Sequence, residues 1–568
     1  MLETTLKTNF IPGTNLSGGL ASGDWRFLLP SLKFERLLCL GAPDAASVPV
    51  LVTLGQSVLV LSDNQASLQQ LLQQSRDLKA ANFQVLLVDS LKRPPLSNGH
   101  FDLIYLSAQD PNSIFQEGSV LPDLLRLLRS DGVFYCETNG FADFRSVNKK
   151  MENGFKATHT FWLTPFSGKM RTALPTRDRK IAHYFFSNVL FGQSFKKRAL
   201  SQTGKILSRS GLLSSVTPRR ALVIRNGEQN GAASEPPKYV QDLADKAGFD
   251  FSDYRFGLST RGLGNSNKAI FYLFGKSEKK PSAVIKMTRA PEFNYRLENE
   301  YHMLSLVDEN AFVEAGTFPE PLFLSYHNDL AVLCMRAVEG DPFRKRTQAD
   351  ENCPLAQDAL KWIVALGESS ASPNEASPKE VSAALLTLFD RFNDIYRLTE
   401  NQRTFLENKI AGIAASAAFP LVLQHGDPGT WNILVSKENK VIIIDWEAGE
   451  PKGMPLWDLF YFFRTYASWA SRMRGSRDSL KNFTEHFLKP SPLSFLLLEV
   501  LERYCEKVAL EKEMIEPLFY TCWMHRALKE ATRLTPESLD AGHYVNLLKC
   551  AIDQRDSSNT LQKLFLLK

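Results

Sequence analysis

An acidic loop followed by a short apolar hairpin is the feature that most restricts the fold of this chain. The loop reads HGDPGTWN and places Asp427 and Asn432 five residues apart. The Pro-Gly pair between them favours a tight turn, which lets both side chains face one cleft. Apolar runs flank the polar turn 437–440 and predict a hairpin. Its second strand, 441–444, is expected to be buried on both sides and ends directly before Asp445.

Two carboxylates and an amide in this order suit phosphoryl transfer from ATP. Asp427 can orient an acceptor hydroxyl and take its proton, while Asn432 and Asp445 can hold Mg²⁺ on the phosphates. Asp and Asn are also common in turns, and a short apolar strand is also common in a core. The occurrence of loop, hairpin and final Asp in one order favours the catalytic interpretation. The sequence therefore predicts a kinase that acts on a small molecule or a sugar.

The stretch resembles the aminoglycoside phosphotransferase and choline kinase family, whose fold is similar to that of protein kinases. The family loop reads H-G-D-x-x-x-x-N and its later strand ends in I-D-W, which His425, Asp427, Asn432 and Asp445 match position by position. The resemblance implies that Asp427 is the catalytic base and that Asn432 and Asp445 bind magnesium. It also implies that His425 anchors the loop. The expected fold is a two-lobed, protein-kinase-like α+β fold.

Two upstream segments fit the ATP-binding part of that family. A glycine-containing turn between two strands includes Gly262, Gly264 and Ser266, and its backbone N–H groups are suited to cover phosphates. A later strand runs into a hinge whose backbone would hold the adenine edge, around Met335 and Val338. These five residues are the expected contacts to the nucleotide from turn and hinge.

The resemblance also assigns charged residues. The run AVIKM is similar to the family's third-strand motif and places Lys286 at the α- and β-phosphates. Glu300, on a predicted helix, is expected to pair with that lysine, and Glu298 is the alternative partner. Asp458 resembles a later family aspartate and is expected to act as a cap or a loop clamp rather than as a catalyst.

The first 150 residues alternate between strand and helix patterns, which predicts a parallel, doubly wound, Rossmann-like sheet. The predicted strands are 36–41, 57–63, 83–89, 100–107 and 132–137, and a helix is predicted over 121–129. This part is similar to class I S-adenosylmethionine-dependent methyltransferases. The resemblance implies that Gly41 cradles the methionine part of the cofactor, that Asp63 binds its ribose and that Asp89 lies near its adenine. The loop after Gly41 departs from the family pattern because it has one glycine and contains Pro43. Proline removes a backbone donor, so cofactor binding stays open at this point.

Length and composition predict at least two domains of an ordinary globular protein. The chain has 568 residues, of which 44% are hydrophobic and 23% charged. The segment 226–237 is polar, lacks periodicity and ends in two prolines, which is typical of a linker. The predicted division is therefore a methyltransferase-like domain over 1–225 and a kinase-like domain over 238–568. Within the latter, the small lobe is 238–340 and the large lobe 341–568.

Several sequence features predict a cytoplasmic protein. No apolar run approaches the ~20 residues of a membrane span, and the first residues lack a signal-peptide pattern. The seven cysteines show no C-x-x-C spacing, which predicts reduced thiols and no zinc site. Residues 189–225 contain eight Lys/Arg and no acid. Such a run forms either a solvated face or a peripheral contact to an anionic surface. A net charge of +5 does not favour a nucleic-acid partner, and the oligomeric state stays open.

The sequence gives the least information about the identity of the phosphate acceptor. Helices are predicted over 493–505 and 514–526, and in the family such helices help to form the acceptor pocket. No acid cluster of the kind that a cationic aminoglycoside requires occurs around 447–530. By analogy with fused methyltransferase–kinase enzymes that cap glycans, the expected function is Mg-ATP-dependent phosphorylation of a hydroxyl in surface-glycan synthesis. The alternative is a non-catalytic scaffold that uses both folds to bind partners.

Overall fold

The computed structural model describes residues 19–91, 94–107, 120–139, 157–165, 168–190, 195–213, 219–225, 235–262, 264, 266–373 and 375–566. These residues form two compact units. The first comprises those within 17–297 and 322–337 and is called the sheet unit. The second comprises those within 298–321 and 338–568 and is called the helical unit.

Thirteen strands of the described residues form one mixed sheet in the sheet unit. They are β1 (Phe34–Leu40), β2 (Gly55–Ser62), β3 (Phe83–Leu87), β4 (Phe101–Leu106), β5 (Leu128–Asn139), β6 (Ala157–Thr164), β7 (Thr172–Pro175), β8 (Arg219–Arg225), β9 (Arg255–Ser259), β10 (Ala269–Phe274), β11 (Ala283–Met287), β12 (Pro321–His327) and β13 (Leu330–Arg336). Their order is β12-β13-β11-β10-β9-β7-β6-β8-β5-β4-β1-β2-β3. The five strands β1 to β5 pair in parallel, which confirms the predicted parallel sheet. β8 lies antiparallel between β5 and β6.

Alternating side chains explain why this sheet is covered on both faces. Leu37 and Cys39 of β1 belong to one apolar cluster, whereas Leu38 and Leu40 belong to the cluster on the other face. All four are fully buried. Because successive side chains of a strand point to opposite faces, the apolar run 37–40 has to be covered on both sides, as parallel strands are.

The helices of the sheet unit connect these strands. They are α1 (Val48–Leu54), α2 (Gln65–Asp77), α3 (Val120–Leu125), α4 (Arg179–Tyr184), α5 (Phe195–Ser210) and α6 (Lys238–Lys246), while α7 (Asn294–Glu309) begins in this unit. The helix predicted over 121–129 is wrong at its end, because it stops at Leu125 and β5 already begins at Leu128. The leucines there satisfy either pattern, and pairing of Leu128 with Phe101 in β4 decides for the strand.

The helical unit carries short strands and most of the long helices. The strands are β14 (Asp341–Pro342), β15 (Val422–Gln424), β16 (Ile433–Val435), β17 (Val441–Ile443) and β18 (Glu450–Gly453). The helices are α8 (Phe343–Arg346), α9 (Pro354–Ser370), α10 (Pro378–Ile395), α11 (Glu400–Ala411), α12 (Trp457–Met473), α13 (Ser479–Phe483), α14 (Pro492–Val508), α15 (Ile515–Ala531), α16 (His543–Asp553) and α17 (Asn559–Leu566). β16 and β17 form the predicted hairpin, and α14 and α15 confirm the two predicted helices.

Other expectations can be compared with the described residues. No helix among them is long and apolar enough to cross a membrane, and all seven cysteines are free thiols. Of the linker 226–237, residues 226–234 lie outside the described part. In the basic run, Arg219, Arg220 and Arg225 are buried in β8, and Arg219 pairs with Glu137 at 2.8 Å. These three arginines therefore do not belong to a solvated face, because strand pairing buries them.

Candidate active site

The loop after β15 turns sharply at Gly426. This glycine has a φ of +75°, and a Cβ atom there would lie 1.8 Å from the carbonyl oxygen of Ala448. Only glycine fits such a close approach of two backbone segments. The turn directs the next residue, Asp427, out of the core, where a third of its side chain is exposed.

Asp458 clamps this turn from the start of α12. Its carboxylate accepts hydrogen bonds from the backbone N–H groups of His425 at 2.6 Å and Gly426 at 3.0 Å. Burial raises the pKa of Asp458, whereas nearby His425 and Arg526 lower it. The predicted role of Asp458 as a loop clamp is therefore confirmed by its contacts.

His425 ties the loop to the end of β17. Its Nδ1 accepts the Asp427 N–H at 3.2 Å, so its Nε2 carries the hydrogen and donates to the carbonyl of Ile444 at 3.1 Å. Burial lowers the pKa of this imidazole, against the nearby carboxylates of Asp458 and Asp427, which raise it. The ring is fully buried and contacts Trp446 edge to face. His425 therefore has the contacts of an anchor, as predicted.

The loop and the hairpin bring the three predicted chemical residues to one place. The Asn432 Nδ2 donates to the Asp427 carbonyl at 2.9 Å and to its carboxylate at 3.2 Å. The backbone carbonyl of Asn432 accepts a hydrogen bond from the backbone N–H of Ile444 at 2.9 Å. Asn432 therefore lies opposite the residue that precedes Asp445. Asp445 has a left-handed φ of +70°, a conformation that Asp tolerates better than most residues.

The residues present fit a magnesium ion. Because the Asn432 Nδ2 is used within the loop, its Oδ1 is the side-chain atom left to bind a hard cation, and Asp445 adds a carboxylate oxygen. Among the described residues, no group of three or more His, Cys, Asp or Glu side chains is suited to hold a metal. Mg²⁺ does not need such a group, because it is bound by one or two carboxylates together with substrate phosphates and water.

Helix α7 holds the segment after β17. Glu300 is fully buried, and its Oε1 accepts the N–H of Trp446 at 3.3 Å. The Asn299 Nδ2 donates to the carbonyls of Glu447 at 3.1 Å and Gly449 at 2.9 Å. The sequence analysis missed Asn299, because nothing in its helical period marks it as a backbone anchor.

The sheet unit contains most of the residues that are expected to contact the nucleotide. Lys286 lies in β11 between Ile270 and Leu333 and is 8% exposed. Met335 is buried in β13, whereas Val338 and Glu300 belong to the helical unit. Lys286 and Glu300 thus lie in different units.

An arginine that the sequence analysis missed fixes the glycine turn. Arg289 donates to the carbonyls of Thr260 at 2.8 Å and Gly264 at 2.9 Å. Arg296 approaches the carbonyl of Ser266 at 3.5 Å. Gly262, with a φ of +101°, makes the bend in this turn. With its carbonyls held in this way, the turn is shaped from outside rather than by its glycines alone.

Arg526 of α15 is a third missed residue, and it contacts the loop at Asp427. Its Nη1 lies 3.6 Å from the Asp427 carboxylate, and its Nη2 donates to the Gly426 carbonyl at 2.7 Å. Its Cζ lies 3.4 Å from the centre of the Tyr461 ring. One turn further, burial lowers the pKa of Lys529, with Arg526 adding to the effect. Most residues of α15 are buried, so its hydrophobic pattern has no clear polar face. The pattern therefore did not single out Arg526 or Lys529.

The predicted methyltransferase-type residues meet at one edge of the sheet. Gly41, with a φ of +84°, follows β1 and donates its N–H to Leu61 at 2.9 Å. Asp63 follows β2 and Asp89 follows β3, and both are exposed. Because β1, β2 and β3 are parallel neighbours, their carboxyl ends lie at the same edge. The Ser107 hydroxyl closes the Gly41 loop by donating to the Ala42 carbonyl at 2.7 Å.

Comparison with known proteins gives one family match, which agrees with the motif, and several solved structures of low similarity. Residues 260–481 match the model of the phosphotransferase enzyme family, APH, and no curated protein matches the chain. A thermostable mutant of aminoglycoside phosphotransferase APH(4)-Ia, in complex with ADP and hygromycin B, is 13% identical over 57% of this chain and 98% of that one, with a TM-score of 0.35. A methyltransferase from Aquifex aeolicus is 17% identical over 24% and 73% of the two chains, with a TM-score of 0.18. WbdD bound to a kinase inhibitor is 13% identical over 87% of each chain, with a TM-score of 0.22. Residues 260–481, which include the acidic loop and the hairpin, therefore match the phosphotransferase enzyme family, as the motifs predict.

Proposed function

We propose that the protein is a Mg-ATP-dependent phosphotransferase that phosphorylates a hydroxyl group of a sugar or another small molecule. One observation carries this proposal: Asp427, Asn432 and Asp445 converge on one loop and hairpin. Buried Asp458 and His425 hold that loop in place. Such rigid support is what a phosphoryl-transfer site needs, because its catalysis consists of positioning and charge stabilisation.

The proposed roles follow from exposure and from the available atoms. Asp427 is a partly exposed carboxylate at the position of the family's catalytic base, so it accepts the proton of the acceptor hydroxyl. Asn432 and Asp445 would hold Mg²⁺, which shields the charge of the phosphates when it is bound. Lys286 and Glu300 would take part in nucleotide binding, together with the turn at Gly262, Gly264 and Ser266 and the hinge around Met335 and Val338. This assignment makes Asp427 the base and leaves the nucleotide to the other residues.

ATP consumption with Mg²⁺ should be measured across sugars, amino alcohols, nucleosides and aminoglycosides. We expect acceptor-dependent release of ADP, with the highest turnover for a carbohydrate, because surface-glycan synthesis is the proposed setting. Asp445→Asn should lower turnover at least about tenfold and raise the Mg²⁺ concentration needed for half-maximal rate. Even mutation of residues that only hydrogen-bond to metal ligands typically lowers metal affinity or activity by about 10–100-fold.

Two results would contradict the proposal. If Asp445→Asn had the same magnesium dependence as the unchanged protein, the metal assignment would be wrong. If ATP bound but no acceptor raised its consumption, the non-catalytic scaffold would be the better description. The substitution Asp308→Asn is a matched control, because Asp308 is exposed on α7.

We further propose that S-adenosylmethionine binds at the edge that carries Gly41, Asp63 and Asp89. Exposed carboxylates at the ends of β2 and β3 suit the ribose hydroxyls and the adenine. Titration calorimetry of the full chain should give heat with S-adenosylmethionine and much less heat after Asp63→Ala. Absence of heat in the unchanged protein would show that the loop with Pro43 does not accept this cofactor.

A further inference from the structure

A basic and aromatic surface lies beside the acidic loop in the helical unit. We call it the arginine face and define it by Arg344, Arg464 and Arg472 together with Trp431 and Tyr544. The Arg344 Nε donates to the Thr430 hydroxyl of the loop at 2.8 Å. Its Cζ lies 5.5 Å from the centre of the Trp431 ring. Arg344 is thus held at the loop by a hydrogen bond and a cation–π contact.

A series of contacts connects this face with Asp427. Trp431, which is 47% exposed, contacts the Tyr461 ring edge to face, with a centroid distance of 6.1 Å. Arg526 covers the same tyrosine and lies 3.6 Å from the Asp427 carboxylate. Tyr461 also contacts Tyr544 at 6.3 Å. An acceptor whose hydroxyl reaches Asp427 would therefore extend over Trp431 toward the arginines.

Arg464 has donor capacity that the fold does not use. Its Nη1 donates to the Tyr544 hydroxyl at 3.3 Å, its Nη2 contacts the His543 Nε2, and its Cζ lies 5.0 Å from the Tyr544 ring. Its Nε is buried without a hydrogen-bond partner. Burial lowers the pKa of His543 to about 3, and Arg464 and Arg472 add to this effect. The imidazole is therefore neutral at physiological pH and accepts from Arg464.

The positive charges of Arg464 and Arg472 both act against the charge of Arg344. Burial, together with the charges of Arg472 and Arg464, lowers the pKa of Arg344 to about 10. Glu530 is an acid near Arg464, but it is occupied by the backbone N–H of Tyr544 at 3.0 Å. Like charges that are held together repel one another and raise the free energy. A bound anion offsets this repulsion by forming charge-assisted hydrogen bonds. A solvated basic face would instead spread its arginines into water.

We propose that the acceptor carries an anionic group, a phosphate or a carboxylate, which the arginine face binds while a sugar ring lies on Trp431. Guanidinium groups match both anions with paired N–H donors, and an exposed tryptophan offers a flat apolar surface with a polar edge. This inference rests on the proposed function and narrows its substrate class. It also explains why the surface beside Asp427 is basic, whereas a surface that binds a cationic aminoglycoside is expected to be acidic.

The test is a binding titration with oligosaccharides that are alike except for a phosphate, a carboxylate or neither. The full chain is used with Mg²⁺ and a non-hydrolysable ATP analogue. We expect at least about tenfold tighter binding of an anionic member, equivalent to about 1.4 kcal/mol. Arg472→Gln and Arg344→Gln should remove most of this preference. Arg477→Gln, which changes the same charge at an exposed position outside the face, should keep it.

The outcomes separate this inference from the proposed function. Preference for the phosphate member alone or for the carboxylate member alone identifies which anion the acceptor bears. Equal binding of all three members, or no binding of any, overturns the inference. Preference that persists in Arg472→Gln and Arg344→Gln also overturns it. Failure of the proposed function would instead appear as anion-selective binding without any turnover that depends on Asp427.

Discussion

Replacement of Asp427 by Asn is expected to abolish most phosphoryl transfer while leaving the loop in place. The amide keeps the volume of the side chain and an oxygen for the contact with Asn432 at 3.2 Å. It cannot accept the proton of an acceptor hydroxyl, so kcat should fall by about 10²–10⁴-fold, the usual contribution of general base catalysis. KM for ATP should change little. Steady-state kinetics with the best acceptor of the panel measures both quantities.

The control for this substitution is a protein with the same change of charge far from the loop. Asp308→Asn serves this purpose, and its kcat should stay within about twofold of the original value, since surface substitutions usually have small effects. Thermal unfolding of both variants shows whether the fold is kept. A kcat for Asp427→Asn within a factor of a few of the original would exclude Asp427 as the base, and the proton would then have to leave through water.

The geometry of the acidic loop was predictable because its contacts are local. Asp427 and Asn432 are five residues apart, and the hairpin sets Ile433 opposite Ile443. Asp445 follows directly from that register. Turn chemistry, an apolar strand period and short loops determine such contacts without information from the rest of the chain. The parallel strands β1 to β5 were predictable for a different reason, because alternation of strand and helix patterns along the chain favours parallel pairing.

The missed residues all act over long distances in sequence. Arg526 contacts Gly426, which lies 100 residues away, and Asn299 contacts Glu447, which lies 148 residues away. The period of a helix shows which of its faces is buried but not which segment covers that face. Pairing of β7 with β9 is of the same kind, because strand patterns do not name their neighbours. The arginine face was likewise not predictable, since its arginines come from α8 and from the middle and the end of α12, its tryptophan from the acidic loop and its tyrosine from α16.

A buried ion pair in the sheet unit leads to the prediction with the largest effect on stability. Asp24, in the 3-10 helix Leu20–Leu28, binds Arg289 through two hydrogen bonds of 2.9 and 2.7 Å, and neither side chain is exposed. Arg289 in turn holds the carbonyls of Thr260 and Gly264. The backbone carbonyl of Arg289 accepts from Arg26 at 2.7 Å. The 3-10 helix Leu20–Leu28 thus supports, through Asp24 and Arg289, the turn that is proposed to cover the ATP phosphates.

Asp24→Ala should destabilise the sheet unit by about 3–5 kcal/mol, because it leaves the Arg289 guanidinium buried without its counter-charge. The midpoint of urea unfolding, followed by a probe in the sheet unit, measures this loss. KM for ATP should rise at the same time, since Arg289 would no longer hold the glycine turn in one place. A variant that loses stability without any change in KM would contradict the proposed link between the pair and the turn.

The double variant Asp24→Leu with Arg289→Met separates the charge effect from the packing effect. Replacing both members of a buried pair by apolar residues of similar size is often neutral or stabilising. We therefore expect the double variant to unfold at a higher urea concentration than Asp24→Ala. Its KM for ATP should nevertheless be raised, because methionine cannot donate to the carbonyls of Thr260 and Gly264. Recovery of stability without recovery of ATP affinity would show that Arg289 serves two separable roles, one as a buried charge that Asp24 neutralises and one as a donor that shapes the nucleotide turn.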